Sequence, residues 1–204
     1  MPPQPEIRRA VPDDLPWAAA ALALAFADYP WTRWVVDERD HLDRLEGLYA
    51  IYLRVALELG QVWVSDDASA VAAWTSSRTA AAQDELFERE GLALRVAQLS
   101  GDRLGNVATG IELLAPHTPS EDHWVLAAVG VVPGRQGEGL GRRVLEPALA
   151  DLDARGDAAV LDTSTASNVG LYERLGFAVT TELEMPDGGP RVWLMRREPH
   201  PAQR

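Results

Sequence analysis

Hydrophobic residues recur along this chain at two spacings, which predict an alternation of helices and strands. A helical spacing predicts helices at about 14–28 and 38–59, and a longer helical segment at 79–115 that breaks near Gly101. Short apolar or β-branched runs predict strands at 7–10, 61–65, 70–76, 123–132, 158–163, 177–184 and 191–197. Strands and helices mixed in this way predict an α/β (α+β mixed) fold.

The two ends of the chain lack any such pattern. Residues 1–5 are proline-rich and are expected to be disordered, and residues 199–204 are expected to be a frayed tail. Between them, 6–198 reads as a single domain, because it contains no internal repeat and no interdomain linker. A chain of 204 residues with 47% hydrophobic residues is large enough to bury a sizeable core.

A glycine-rich stretch follows the apolar run that ends at Val132. Gly137, Gly139 and Gly141 stand at alternate positions, and helix-forming residues then continue to Arg155. A strand, a glycine loop and a helix N-terminus in this order form a site for an anion, since glycine lets the backbone approach closely and the first helical amides have no partners. The stretch predicts a phosphate or pyrophosphate ligand. The alternative is a glycine-rich turn without a ligand.

Composition excludes several classes of function. The net charge of −12 argues against a nucleic-acid partner and against an anionic membrane surface, and it is compatible with a cationic substrate. Without cysteine or lysine, the chain cannot form a cysteine acyl-enzyme or a lysine Schiff base. No metal site is expected, because the four histidines are scattered. With no signal peptide and no apolar run long enough to span a bilayer, we expect a soluble cytoplasmic protein.

Two motifs carry a family resemblance. Gln136-x-x-Gly139-x-Gly141 is neither a P-loop nor a dinucleotide fingerprint, and it resembles the acetyl-CoA motif of the GNAT N-acetyltransferases. Tyr172-Glu-x-Leu-Gly-Phe177, preceded by Asn168, resembles the last part of the same family's pattern. The resemblance implies the GNAT fold: a central mixed, mostly antiparallel twisted sheet flanked by helices and splayed at the acetyl-CoA cleft, here with a helical insertion.

The resemblance also implies roles for individual residues. The backbone of the central strand would pair with the pantetheine amides of acetyl-CoA, and the loop amides would hold its pyrophosphate. Tyr172 would donate a proton to the departing CoA thiolate in a direct transfer within a ternary complex; the alternative for Tyr172 is a packed aromatic residue at a helix end. The implied cofactor-binding residues are Val129, Gly130, Val131, Gln136, Gly137, Glu138, Gly139, Leu140, Gly141, Arg142 and Asn168.

A narrower resemblance is spread over nearly the whole chain. The segments 25–30, 62–64, 113–117, 161–164 and 191–195 look like the puromycin N-acetyltransferases of antibiotic-producing actinomycetes. It implies acetylation of the free α-amine of puromycin, an aminonucleoside antibiotic, and hence antibiotic resistance.

The acceptor side of the site is less defined by the sequence. Tyr29, Trp31 and Trp34 are the candidates for the acceptor pocket, or else they form a hydrophobic plug at a helix end. Other acceptors, namely another small amine or a protein N-terminus, stay open, as does a non-catalytic acyl-CoA-binding sensor. The expected partner is a small-molecule amine, and the expected state is a monomer or weak homodimer. Candidates for a general base are Tyr29, Glu121, Asp122 and His123.

Overall fold

The computed structural model describes residues 4–200, so the predictions for 1–3 and 201–204 lie outside the described residues. The described residues include 4–5 and 199–200, on either side of the expected domain at 6–198. Pro5 is buried, and its carbonyl accepts a hydrogen bond of 2.7 Å from Arg143. At the other end, the His200 amide donates to Asp153 at 2.7 Å. Side chains of Arg143 and Asp153 therefore bond the first and last described segments to the rest of the fold.

Within residues 4–200, seven strands form one sheet in the order β1-β2-β3-β4-β5-β7-β6. Neighbouring strands are antiparallel except β4 and β5, which are parallel. This confirms the mixed, mostly antiparallel sheet expected from the resemblance. The strands are β1 (Ile7–Arg9), β2 (Gln61–Ser65), β3 (Ala70–Ser76), β4 (His123–Val131), β5 (Ala158–Thr163), β6 (Ala178–Glu184) and β7 (Arg191–Arg197).

Helices cover both faces of the sheet. On one face α1 (Leu15–Phe26) and α3 (His41–Leu59) bury a core that includes Leu22 and Leu53, both fully inaccessible. On the other face α7 (Leu140–Arg155) packs Leu145 and Leu152 against the sheet. A short α8 (Ala166–Glu173) follows β5. The sheet is therefore a central layer between two helical layers, as in other mixed α/β folds.

Two segments differ from the pattern-based expectation. Residues 30–35, which lie between the two predicted helices at 14–28 and 38–59, form the helix α2 (Pro30–Val35), because a proline at the first helical position needs no amide partner there. The segment 79–115 contains three helices instead of two: α4 (Ala80–Arg89), α5 (Leu92–Ser100) and α6 (Leu104–Leu114). The unpredicted break lies at Gly91, whose φ of 63° is left-handed and therefore ends a right-handed helix.

Candidate active site

The central sheet opens between β4 and β5. Their pairing covers only His123 to Val125 opposite Ala158 to Val160. Just beyond it, Ala127 is an extra residue in β4, because Trp74 pairs with Leu126 while Ala73 pairs with Ala128. A bulge of this kind bends a strand and increases its twist. The two strands diverge there, and a cleft of about 960 Å³ lies along the unpaired edge of β4.

A backbone cradle for an anion forms one end of this cleft. Gly137 and Gly139 have φ values of 83° and 80°, which glycine adopts without strain. No heavy atom lies within 4 Å of where their Cβ atoms would be, so the space beside them is open. The first amide bonded into α7 is that of Arg143, which donates to the Gly139 carbonyl at 3.1 Å. The three amides that precede Arg143 are therefore available to an anion.

Two arginines of this cradle are paired with carboxylates. Arg135 forms ion pairs with Asp67 and Glu138 at 2.6 and 2.8 Å. Arg142 pairs with Glu146 at 2.9 Å on the exposed side of α7. The positive potential at the cradle therefore comes mainly from fixed amide dipoles and the N-terminus of α7.

Almost all of the predicted cofactor residues meet in the cleft. All of them except Glu138, which faces Arg135 instead, line it. Gln136 fixes the loop to the strand end by donating from Nε2 to the Val131 carbonyl at 3.1 Å. Arg174, which the sequence analysis did not select, also lines the cleft, and no carboxylate within residues 4–200 pairs with it. Its place inside the Tyr-Glu-Arg-Leu-Gly-Phe motif is the signal that could have identified it.

Tyr172 reaches the cleft from α8. Its side chain is buried, and its ring packs edge-on against Phe177 with centroids 5.9 Å apart. Burial first, and then the neighbouring Tyr29 and Asp162, raise the pKa of Tyr172 well above its usual value. The hydroxyl is therefore protonated at neutral pH and can donate. Since a thiol has a pKa near ~8.5, complete proton transfer from this tyrosine to a thiolate would be uphill, whereas a hydrogen bond from its hydroxyl to a thiolate would not require that transfer.

Tyr29 is joined to the C-terminal end of β5. The Ser164 amide donates to its hydroxyl oxygen at 2.6 Å, and that hydroxyl shares a hydrogen bond of 2.9 Å with Thr163 Oγ1. Asn168 Nδ2 donates to the same Thr163 oxygen at 3.3 Å and to Thr165 Oγ1 at 3.1 Å. The Tyr29 ring lines the cleft while its hydroxyl is held by β5. It is thus placed to contact a ligand with its ring rather than to act as a base.

The two tryptophans of α2 occupy different environments. Trp31 is half-buried and lines the cleft, whereas Trp34 is 5% exposed and does not. Their ring centroids are 5.4 Å apart, so Trp34 supports Trp31 from behind. The Trp34 indole also lies against Gly189, where an added Cβ would be 2.8 Å from its ring. The structure therefore brings Tyr29 and Trp31 together in the cleft and leaves Trp34 outside it.

The helical insertion, which is the segment 79–115 with helices α4 to α6, supplies a further wall of the cleft. Val107, Ile111 and Leu114 of α6 line it opposite the aromatic residues of α1 and α3. Asn106 Nδ2 donates to the Trp34 carbonyl at 2.7 Å, which holds α6 over α2. Thus the part of 79–115 nearest the cleft closes one of its sides.

Comparison with known proteins decides the family. The sequence model described as the acetyltransferase (GNAT) family matches residues 62–177, from β2 through the glycine cradle to the end of the Tyr172 motif. The chain belongs to the GNAT acetyltransferase family. It is therefore an acyltransferase, and members of this family transfer the acetyl group of acetyl-CoA to small-molecule or peptide amines.

Solved structures agree with this GNAT fold over nearly the entire chain. A structure titled histone acetyltransferase HPA2 and related acetyltransferase, from Corynebacterium glutamicum, is 21% identical, with a TM-score of 0.71 over 98% of this chain and 100% of its own. A mosquito arylalkylamine N-acetyltransferase like 5b is 18% identical (TM-score 0.63; 96% and 100% coverage). The Escherichia coli ribosomal-protein-S18-alanine N-acetyltransferase is 18% identical (TM-score 0.53; 98% and 97% coverage). At these identities, the similarity concerns the fold alone.

Between residues 4 and 200, no helix is both long and apolar enough to cross a bilayer.

The remaining candidates for a general base in the GNAT enzyme differ in their ion pairs and in their burial. Glu121 pairs with Arg196, and its own backbone amide and that arginine lower its pKa. Asp122 pairs with Arg78 at 2.9 Å on the surface. His123 is buried with Nδ1 2.7 Å from the Glu121 carbonyl, and it does not line the main cleft.

A carboxylate that the sequence analysis did not select does line the cleft. Asp162 on β5 keeps access to the cleft space, yet protein surrounds it closely enough that loss of hydration raises its pKa. In the sequence it is simply a polar residue inside a strand, and only its place beside the opening between β4 and β5 marks it as part of the site.

Proposed function

We propose that this GNAT enzyme acetylates the free amine of an aminonucleoside antibiotic of the puromycin type, and so confers resistance. The observation that carries the proposal is one continuous cleft in which the glycine cradle and an aromatic wall face the same space. Puromycin carries a methoxyphenyl ring and a dimethyladenine, and both require apolar stacking surfaces. The aromatic wall consists of Phe26, Tyr29, Trp31, Tyr49 and Tyr52.

The roles of the cofactor residues follow from their positions in the cleft. The unpaired edge of β4, including Val129 and Val131, offers backbone groups to the amides of pantetheine. The first amides of α7 offer donors to the pyrophosphate, and Arg174 offers a charge to a phosphate. Acetyl-CoA supplies an activated acetyl group when bound. Because the chain has no cysteine and no lysine, we propose direct transfer to the amine rather than a covalent acetyl-enzyme.

Another aromatic amine is the second candidate acceptor. The mosquito protein is named an arylalkylamine N-acetyltransferase, and the amine-bearing part of puromycin has that general shape, an aromatic ring joined to an amine by a short alkyl chain. A protein N-terminus is a third candidate acceptor, and the close contact of α6 with Trp31 leaves it less room beside that residue. A non-catalytic sensor would have no use for the Tyr172 hydroxyl in the cleft. We further propose a cytoplasmic monomer or weak homodimer.

A thiol-release assay tests the acceptor. Purified protein and acetyl-CoA are incubated with puromycin, an arylalkylamine, agmatine and a peptide with a free N-terminus. We expect saturable CoA release with puromycin. No release with puromycin but turnover of another amine would contradict the acceptor assignment while leaving the family unaffected.

The amine preference of a Trp31→Ala variant tests whether Trp31 contacts the acceptor. Since Trp31 narrows the cleft, its removal should shift the preference among amines without a large loss of folding stability. Trp34→Ala is the matched comparison. It should lower the free energy of unfolding by about 3–5 kcal/mol, because it removes a buried indole behind the cleft. An unchanged amine preference in Trp31→Ala would mean that Trp31 does not contact the acceptor.

A further inference from the structure

Asp162 stands where two cavities meet. It lines the main cleft, and it also lines a second cavity of about 480 Å³ on the other side of β5 from α8. This second cavity extends beneath the end of α6, and its walls are mostly apolar or neutral. Its lining residues include Leu114, His117, Val125, Val160, Thr181 and Leu194.

The strand geometry explains why this side chain faces the opening. Ala159 and Leu161 pack in the core beneath α7, so the alternation along β5 turns Asp162 to the opposite face, together with Val160. Val160 is the last β5 residue paired with β4. Asp162 is therefore the first side chain on that face beyond the point where the two strands separate.

Within residues 4–200, no cationic side chain forms an ion pair with this carboxylate, whose side chain is exposed where it faces the cavities. Two carboxylates near the sheet that are more buried each have an arginine: Asp157 has Arg78 at 2.8 Å, and Asp153 has Arg197 at 2.7 Å. In the part of the chain that the structure describes, only the backbone amide of Asp162 itself stabilises its charge. An accessible carboxylate that lines a cleft without a counter-ion, and whose pKa the surrounding protein raises, favours either a proton or a bound cation.

We infer that the ammonium group of the acceptor binds at Asp162 and gives up a proton there. The inference rests on the proposed function only in requiring an amine acceptor. An amine at this junction is near both the unpaired β4 edge and Tyr172, whose pKa responds to the charge of Asp162. The two cavities then accommodate the groups on either side of the amine.

Asp162, the CoA thiolate and water account for every proton that the amine loses in this reaction. The ammonium passes one proton to Asp162, and the neutral amine attacks the acetyl carbonyl carbon. As the C–N bond forms and the C–S bond breaks, the electron pair goes to sulfur, which Tyr172 stabilises by donating a hydrogen bond. The second proton leaving the nitrogen neutralises the thiolate, and Asp162 releases its own proton to water.

The pH dependence of Asp162→Asn tests this role against a structural one. An asparagine cannot attract an ammonium ion or accept its proton, so the variant must bind the neutral amine. At pH 7 we expect kcat/KM for the acceptor to fall by about 10²-fold or more, with unchanged acetyl-CoA affinity by calorimetry. The deficit should shrink as the pH rises past about 8, where a free α-amine is largely neutral.

Other titrating or charged groups share these cavities, so controls are needed. Asp162→Glu retains the carboxylate and should restore part of the activity. Asp84→Asn removes an exposed acid from α4 and should leave the pH profile unchanged. The groups that line the two cavities with Asp162 are Tyr29, Tyr49, Tyr52, Tyr172, Arg135, Arg142, Arg174, His117, Glu121, His123 and Arg196.

The outcomes separate this inference from the proposed function. If Asp162→Asn keeps kcat/KM within about twofold of the wild type, or loses activity equally at every pH, the inference fails. If puromycin is not a substrate, the same comparison is made with whichever amine of the panel is acetylated. A pH-dependent deficit with that amine supports the inference even though the puromycin assignment fails.

Discussion

Individual residues set the chemistry of the cleft through backbone conformation and burial. Gly139 has a left-handed conformation at the start of α7, with open space where a side chain would project. Tyr172 is buried enough to remain a proton donor, yet it reaches the cleft. Each of these properties depends on one atom or one torsion angle, so a single substitution tests each.

Gly139→Asp should weaken acetyl-CoA binding strongly without unfolding the protein. Aspartate tolerates positive φ better than most residues, and at a helix start its carboxylate takes the amides that would otherwise bind pyrophosphate. We expect calorimetry to show affinity weaker by about 10²-fold, as for the loss of one or two charge-assisted hydrogen bonds.

Gly134→Asp is the matched control, because this substitution adds the same charge nearby. Gly134 itself has no positive φ and does not line the cleft. Its affinity for acetyl-CoA should stay close to that of the wild type. Equal losses in the two variants would show that charge alone, and not the cradle, is responsible.

Tyr172→Phe should lower kcat by about 10- to 10²-fold while acetyl-CoA affinity and thermal stability barely change, since only a hydroxyl is deleted. Tyr52→Phe is a suitable comparison, because Tyr52 also lines the cleft and its substitution likewise deletes only a hydroxyl. A kcat for Tyr172→Phe no lower than that for Tyr52→Phe would make Tyr172 a structural residue.

At the scale of elements, the site depends on how α2 is attached to β5. Tyr29 precedes α2, and its hydroxyl is bonded to Thr163 and to the Ser164 amide. The Trp31 amide at the start of α2 adds a third link by donating to Ser164 Oγ at 3.2 Å. These links fix the aromatic wall relative to the strand that carries Asp162.

Tyr29→Phe should therefore disturb acceptor binding more than cofactor binding. The ring remains, but two hydrogen bonds are lost and the Ser164 amide loses its partner, which should cost about 1–2 kcal/mol of unfolding free energy. We expect a higher KM for the acceptor in steady-state assays. Ser164→Ala removes only the link to Trp31 and should have a smaller effect; a larger effect would mean that the Trp31 link positions the wall.

At the scale of the whole molecule, the helical insertion at 79–115 and the central sheet both line the cleft proposed to bind the acceptor. Asp37 helps to hold the insertion, since its amide donates to the Ser100 carbonyl at 3.1 Å and its carboxylate accepts from the Asp102 amide at 3.3 Å. α6 then contacts Trp31 so closely that only a glycine fits at position 110, where a Cβ would lie 2.6 Å from the indole Cη2.

Gly110→Ala should force α6 away from α2. Overpacking of this kind costs about 1–3 kcal/mol, and the displaced wall should raise the acceptor KM. Gly105→Ala on the same helix meets no atom within 4 Å, so it should leave KM unchanged and stabilise the protein by up to about 1 kcal/mol. Thermal denaturation measures the predicted changes in stability of both variants, and steady-state kinetics measures the predicted changes in acceptor KM. An unchanged KM in Gly110→Ala would exclude α6 from acceptor binding.

Local patterns in the sequence determined much of the fold. The strands at 61–65, 70–76, 158–163 and 191–197 were predicted with the bounds that the structure shows, because alternation and turn residues act over a few neighbours. The glycine cradle was predicted for the same reason, since strand end, glycines and helix start are contiguous. The break at Gly91 escaped prediction because apolar spacing continues across it.

Only the tertiary structure decided which distant residues share the cleft. The splay of β4 from β5 depends on a bulge and on pairing between segments far apart in sequence. Trp31 and Trp34 have similar local sequence, and packing against the β6–β7 turn buries one of them and leaves the other in the cleft. Asp162 gains its place from the strand separation and its raised pKa from lost hydration. Neither property can be read from its neighbours in the sequence, because both arise from atoms that only folding brings near.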